Sequence, residues 1–170
     1  MRALIPAVLA FTTPALACSI AEPISNVRMV KLADAIVRAT ASEYAFPPAN
    51  PNIWTTGVPD SRVRFKIAET IRGSPPAELT LPGYLVDRDD SNDQASPCNF
   101  VRPGGRAGSC FVNSHRSGAQ FLLFLKKTGS GEFTVTWYAL GPVNEQLHSA
   151  NDPWLPWARG RAPQDSTKPN

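Results

Sequence analysis

The clearest alternation of hydrophobic and polar residues lies between positions 62 and 67. Val63, Phe65 and Ile67 alternate with three basic residues, so the apolar side chains point to one face of an extended chain. This pattern predicts a strand that is buried on one face and solvated on the other. A turn-like segment follows it, and the short apolar run at 78–81 predicts the next strand.

Three further strands are predicted elsewhere in the chain. Residues 33–41 are β-branched at their centre, and residues 121–125 form a continuous apolar run that is typical of a fully buried strand. Residues 133–139 alternate again, and the Gly-containing segment 128–131 before them is short enough for a hairpin.

Helices are predicted to be few and short. Ser25 or Asn26 can cap a helix that extends through Leu32, because their side-chain oxygens can accept the first backbone N–H groups. Two more helix starts are predicted, at Asn144 and at Asp152.

These elements predict a mainly β fold. The chain contains 17 prolines and 11 glycines, which favour turns over long helices, and long loops are expected at 45–60 and 83–109. We predict a small closed Greek-key barrel of the OB-fold type with short flanking helices, since a β-sandwich usually needs about seven strands. The barrel domain is predicted over residues 18–158, with a disordered polar tail at 159–170.

The first 17 residues have the features of an export signal. Arg2 is basic, residues 3–11 are apolar, and Ala15-Leu16-Ala17 presents the small side chains that signal peptidase requires. We therefore expect a secreted or periplasmic protein whose mature chain begins at Cys18. Lipidation of Cys18 is the alternative, but the residues before it stand in the reverse of the usual lipobox order.

Composition narrows the range of partners. The formal net charge of the 170-residue chain is +3, and its basic residues are scattered singly, which argues against a nucleic-acid-binding surface. No apolar segment after Cys18 approaches the roughly 20 residues that a transmembrane helix needs. We expect a single-domain monomer without a cofactor.

The chain has three cysteines, Cys18, Cys98 and Cys110. In an oxidising compartment this number predicts one disulfide and one remaining thiol. A bond between Cys18 and Cys110 would tie the start of the mature chain to the middle of the domain, whereas a bond between Cys98 and Cys110 would close one loop. The residues alone leave both pairings open.

Several segments follow one another in the order seen in one protein family. Cys18 precedes a Pro-containing segment and residues 32–39, and residues 63–67 lead into Ile71-Arg72-Gly73. The later segments are Ser109-Cys110-Phe111, His115-Arg116-Ser117, Phe121-Leu122 and residues 140–144. Together they resemble the N-terminal domain of the tissue inhibitors of metalloproteinases, which is built on the netrin-like variant of the OB-fold.

The resemblance implies a function for the mature N-terminus. In that family the α-amine and backbone carbonyl of the first cysteine chelate the catalytic zinc of a protease, a role that falls on Cys18 here. Ser19 would enter the specificity pocket, and the resemblance pairs Cys18 with Cys110. The family's second and third N-terminal cysteines fall at Ile20 and near Lys31, so this chain lacks two of the disulfides that rigidify the inhibitory edge.

Two functional hypotheses follow. The first is inhibition of a zinc metalloproteinase through Cys18 and Ser19. The alternative is a non-catalytic envelope or extracellular interaction module that uses the same barrel without a metal, anchored by lipid if Cys18 is acylated. We do not expect an enzyme, because the sequence contains no nucleophile-elbow or zinc-peptidase motif, and His115 and His148 are interpreted as surface or supporting residues.

One acidic segment has the oxygen spacing of a calcium loop. Asp87, Asp89 and Asp93 alternate with other residues, as the first ligands of an EF-hand do. Asn92 occupies the position of the required glycine, and Cys98 that of the bidentate glutamate, which excludes an EF-hand. We interpret the segment as a solvated acidic loop, with an irregular calcium site as the alternative and no metal bound by the free protein otherwise.

Overall fold

The structure is a computed structural model that describes residues 25–50, 59–89, 96–97, 114–135, 137–138, 141–142 and 144–162. This part of the chain is mainly β, as the sequence predicts, with two short helices. The helices are α1 (Asn26–Leu32) and α2 (Trp154–Arg161). The strands are β1 (Ala35–Phe46), β2 (Arg62–Arg72), β3 (Glu78–Pro82), β4 (Tyr84–Val86), β5 (Ser114–Arg116), β6 (Gln120–Lys127), β7 (Phe133–Val135), β8 (Trp137–Tyr138), β9 (Gly141–Pro142) and β10 (Asn144–Leu147).

One antiparallel sheet contains most of these strands. Its order is β10-β6-β1-β2-β3, and β7 pairs with the end of β6 that β10 does not cover. Strand β1 is central, so that Ala39 lies opposite Ile67 on one side and opposite Phe121 on the other. The predicted strands at 33–41, 62–67, 78–81 and 121–125, and the hairpin between β6 and β7, are confirmed.

Strand β6 lies between two hydrophobic cores. Leu122 and Phe124 pack on the side of the helices, whereas Phe121, Leu123 and Leu125 pack with β1, β2, β3 and β7 on the other side. All five side chains are fully buried. This double burial explains why the sequence of β6 is a continuous apolar run rather than an alternation, and complete burial of each such side chain contributes about 1.5–3 kcal/mol.

Helix α1 covers part of the helix-side core. It begins as predicted at Ser25, whose side chain accepts a hydrogen bond from the Arg28 amide at 3.3 Å. Met29 and Val30 are buried against the sheet, and Val27 is exposed. The helix therefore presents a narrow apolar face, and its last residues lead directly into β1.

Helix α2 covers the remainder of the same core. Asp152 accepts hydrogen bonds from the amides of Trp154 and His148, both at 3.0 Å, which fixes the start of the helix as the sequence predicts. Trp154 is buried and meets the Trp157 ring edge-on, with centroids 5.2 Å apart. The helix continues to Arg161, three residues into the segment predicted as a polar tail.

The structure corrects two of the predicted elements. Residues 144–147 form strand β10, not a helix, because they pair antiparallel with the edge of β6 opposite β1. The segment 83–109 was predicted as irregular, but it contains β4, which pairs in parallel with β5. In both cases the partner strand is distant in sequence, so the local sequence pattern does not indicate the pairing.

Closure of the sheet into a barrel is not seen in the described residues. Beside the main sheet there are two separate two-stranded pairs, β4 with β5 and β8 with β9. The turn after β5 is attached to the main sheet, since the Gly118 amide donates to the Ala41 carbonyl at 2.8 Å and the Ala41 amide donates to Ala119 at 3.1 Å. The coarse prediction of a mainly β fold with short helices is confirmed.

Gly73 follows the last residue of β2 and lies close to the start of β1. Its φ is +78°, and a Cβ atom at this position would lie 2.5 Å from the Asp34 carbonyl oxygen and 2.9 Å from the Ala35 Cβ. Gly118 has a similar φ of +76°, but a Cβ there would meet nothing within 4 Å. The two glycines therefore separate the effect of backbone conformation from that of close packing.

We predict that Gly73→Ala lowers the free energy of unfolding by about 3 kcal/mol, because strain at positive φ adds to a collision with the β1 backbone. Gly118→Ala, the matched control, should cost only the strain, about 1 kcal/mol. Urea unfolding of both variants measures the difference. Equal losses at the two positions would contradict the close approach at Gly73.

Candidate functional site

Most of the predicted site residues lie outside the described residues. This holds for Cys18 and Ser19, for Cys98 and Cys110, and for Asp93. The zinc-chelating N-terminus and both candidate disulfide pairings therefore stay predictions. Asp87 and Asp89, the other calcium candidates, are described.

Asp89 is held by two side chains that are distant in sequence. Arg116 Nη1 donates to its Oδ1 at 2.8 Å, and Gln146 Nε2 donates to the same oxygen. The hydrogen bond from Arg116 lowers the pKa of Asp89 below its ordinary value, and the bond from Gln146 acts in the same direction. Asp89 is therefore ionised. Arg116 neutralises its charge, and one of its two oxygens accepts both hydrogen bonds.

The strands explain how these three residues meet. Arg116 ends β5 and lies opposite Val86 in the parallel pair with β4, and the Ser117 amide donates to the Val86 carbonyl at 2.9 Å. The chain leaving β4 thus carries Asp89 beside Arg116. Gln146 lies in β10 and is 3% exposed, so it forms a fixed support from the main sheet.

A polar cleft opens beside this cluster. It has a volume of about 460 Å³ and lies between the turn 117–119 and residues 146–150. Asp89 and Arg116 line it with side chains that are 51% and 47% exposed. Among the described residues, this cleft brings together an acid, a guanidinium and a buried amide, and it is the candidate functional site.

The described residues give the calcium hypothesis little support. Asp87 is exposed, and Asp89 is bound to Arg116 and Gln146. Within the part of the chain that the structure describes, no group of three or more His, Cys, Asp or Glu residues is placed to hold a metal ion.

His115 corrects a prediction from the sequence. It was expected at the surface or in a supporting position, but it is 1% exposed. Its ring makes edge-on contacts with Phe65 and Phe121, with centroid distances of 5.0 and 5.1 Å. The middle position of β5 points inward, so His115 is a core residue, whereas His148 is exposed at the cleft.

A second charged cluster has a structural role. Arg159 on α2 donates from Nε and Nη2 to the two carboxylate oxygens of Glu69 on β2, both at 2.8 Å, and Arg38 Nε lies 3.3 Å from Glu69 Oε2. The bonds from Arg159 lower the pKa of Glu69. This cluster fastens the last turn of α2 to the sheet.

Comparison of the sequence with protein-family models and with curated proteins found no match. In the described part of the chain, no helix has the length and apolar character needed to cross a membrane.

Sequence reasoning singled out Asp89 but missed Arg116 and Gln146. They are 27 and 57 residues away from Asp89 along the chain, so no local spacing connects the three. Arg116 stands in a segment that carries the family resemblance, but nothing in that segment indicates an ion pair.

We predict that Arg159→Gln lowers the free energy of unfolding at pH 7 by about 1 kcal/mol or less, since the pair is partly exposed. The pKa of Glu69 is lowered in the folded state, so its contribution is present above the ordinary carboxylate value and is lost as the pH falls through the folded value. The difference between wild type and variant should therefore shrink in acid.

Urea unfolding at neutral and acidic pH measures this difference. Arg64→Gln is the matched control, because Arg64 pairs at 2.9 Å with the largely exposed Glu43 and should lose less. A loss for Arg159→Gln that is the same at both pH values would contradict the assignment to Glu69.

We also predict that calcium leaves the melting temperature unchanged, because the guanidinium of Arg116, 2.8 Å from Asp89, neutralises the carboxylate and repels a metal cation. Thermal unfolding with added calcium chloride, and with a chelator as the control, measures this. A saturable rise that Asp89→Asn removes would establish a calcium site instead.

Proposed function

We propose that this chain is an exported, non-enzymatic inhibitor of a zinc metalloproteinase that acts through its mature N-terminus. The α-amine and carbonyl of Cys18 would fill the open coordination position of the protease zinc, and Ser19 would select the target. An α-amine titrates close to physiological pH, so a useful fraction is neutral and able to coordinate.

The observation that carries this proposal is the meeting of the segments that resemble the tissue inhibitors. Residues 32–39, 63–73 and 121–122 contribute to β1, β2 and β6, which are neighbours in the sheet. Gly73, from one such segment, packs on Asp34 and Ala35 from another. The segments that resemble the tissue inhibitors in sequence therefore also contact one another in the folded chain. Such contacts are expected if the two proteins share a fold.

The barrel form of this fold is part of the proposal. Antiparallel pairing from β3 through β2, β1 and β6 to β7 makes the two outer strands run in the same direction. A groove of about 740 Å³ is lined by residues of both β3 and β7. The sheet is therefore curved enough to bring its edges near each other, which favours an OB-type barrel over a flat sheet.

A disulfide at Cys18 would strengthen such an inhibitor. Tying the N-terminus to Cys110 would reduce the conformational freedom that the chelating group loses on binding. Since two of the family's N-terminal disulfides are missing here, this single bond would provide most of the rigidity of the N-terminus.

The test uses two recombinant forms, one that begins at Cys18 and one with a single alanine before it. Both are titrated against a panel of zinc endopeptidases, after mass spectrometry has confirmed each N-terminus. We expect the Cys18 form to inhibit at least one enzyme and the extended form to be weaker by at least about 100-fold, because the amine is moved away from the zinc.

Two controls keep the result interpretable. Equal melting temperatures would show that the added alanine leaves the sheet intact. Ser19→Ala retains the amine and should change the preference among enzymes without abolishing inhibition. Inhibition by neither form, or equal inhibition by both, would overturn the proposal and leave an interaction module that does not act on a metal.

A further inference from the structure

The cleft beside Asp89 and Arg116 has the dimensions and lining of a site for a small polar molecule. Its volume of about 460 Å³ lies within the usual range for small-ligand sites, roughly 300–1,000 Å³. Its polar lining also includes Gln120, Gln146, His148 and Ser149. A ligand that fits here must offer several hydrogen-bonding groups.

Asp89 has one carboxylate oxygen in use and one left over. Both Arg116 and Gln146 donate to Oδ1, and among the described residues no hydrogen bond reaches Oδ2. A carboxylate has lone pairs on both oxygens, so Oδ2 can accept from a ligand. The bond from the buried Gln146 fixes the carboxylate in place while this happens.

Arg116 likewise has donors beyond those it uses on Asp89. Its guanidinium carries five N–H groups in a planar fork, and the described contact with Asp89 is made by Nη1. The side chain is 47% exposed. Arg116 can therefore bind a second carboxylate by charge-assisted hydrogen bonds.

The negative charge of Asp89 and the positive charge of Arg116 are adjacent, which restricts the kind of ligand that can bind. A simple anion would be attracted by Arg116 and repelled by Asp89, 2.8 Å away, and a simple cation would meet the reverse. A molecule with an ammonium and a carboxylate two bonds apart satisfies both residues at once. We propose that this cleft binds the zwitterionic head of a free α-amino acid, with the ammonium on Asp89 and the carboxylate on Arg116.

The remainder of the lining is also polar. Gln120 and Ser149 line the cleft together with the charged pair, and both can donate and accept hydrogen bonds to the side chain of a bound amino acid. Polar amino acids are therefore the preferred ligands. This binding involves neither Cys18 nor a zinc ion, so it stands or falls independently of metalloproteinase inhibition.

Isothermal titration of the wild-type protein with individual free amino acids is the first arm of the test. Each amino acid that binds is then compared with its N-acetyl form, which lacks the ammonium, and with its amide, which lacks the carboxylate. We expect both derivatives to bind at least about tenfold more weakly, because each loses a hydrogen bond between charged groups.

Variants form the second arm. Asp89→Asn and Arg116→Gln should each weaken binding by about tenfold or more. Arg64→Gln is the matched control, since Arg64 also forms an exposed ion pair, with Glu43, but does not line the cleft. This variant should bind amino acids with the affinity of the wild type.

Three results would overturn the proposal. They are no binding of any free amino acid up to about 10 mM, equal binding of the acetylated or amidated forms, and wild-type affinity in both cleft variants. The comparison of ligands uses the wild-type protein alone, so the proposal stays falsifiable even if a cleft variant fails to fold.

Discussion

Burial of β6 on both faces is the constraint on which the rest of the structure depends. A strand whose five central residues are all apolar has no solvated face, so each face must be buried among other apolar side chains. One face packs with side chains of β1, β2, β3 and β7, and the two helices cover the other face. Three features hold the helices in this position: the N-cap at Ser25, the hydrogen bond that Asp152 accepts from the Trp154 amide, and the Glu69 cluster that fastens α2.

The same constraint determines where polar chemistry can occur. Since both faces of β6 are occupied, charged and polar groups are confined to the ends of the strand. At one end Asp34 accepts hydrogen bonds from Lys126 and the Lys127 amide, and at the other the cleft opens beside Gln120. The polar side chains next to β6 that could bind a ligand therefore lie at the ends of this strand and in the turns there.

Patterns within a single element were sufficient to predict much of the fold. The alternation in β2, the apolar run of β6 and the cap of α1 each reflect local physics, and the structure agrees with them. Residues 144–147 behave differently, because their strand form comes from the backbone groups at the edge of β6 that need a partner. The inward position of His115 and the meeting of Asp89 with Arg116 likewise depend on the parallel pairing of β4 and β5, which no local signal announces. Of the candidate site, only Asp89 could be predicted from the sequence. Arg116 and Gln146 reach it because the strand topology brings distant segments together.

Helix α2 has a consequence for the order in which the molecule can be completed. Every other part of the helix-side core lies earlier in the chain, from Met29 to Leu147, while Trp154, Leu155 and Ala158 come after it. During synthesis from the N-terminus, the part of this face of β6 that α1 does not cover therefore stays exposed until α2 has left the ribosome. Until then part of the apolar surface of β6 stays exposed, so this core can be completed only after Trp154, Leu155 and Ala158 have been synthesised.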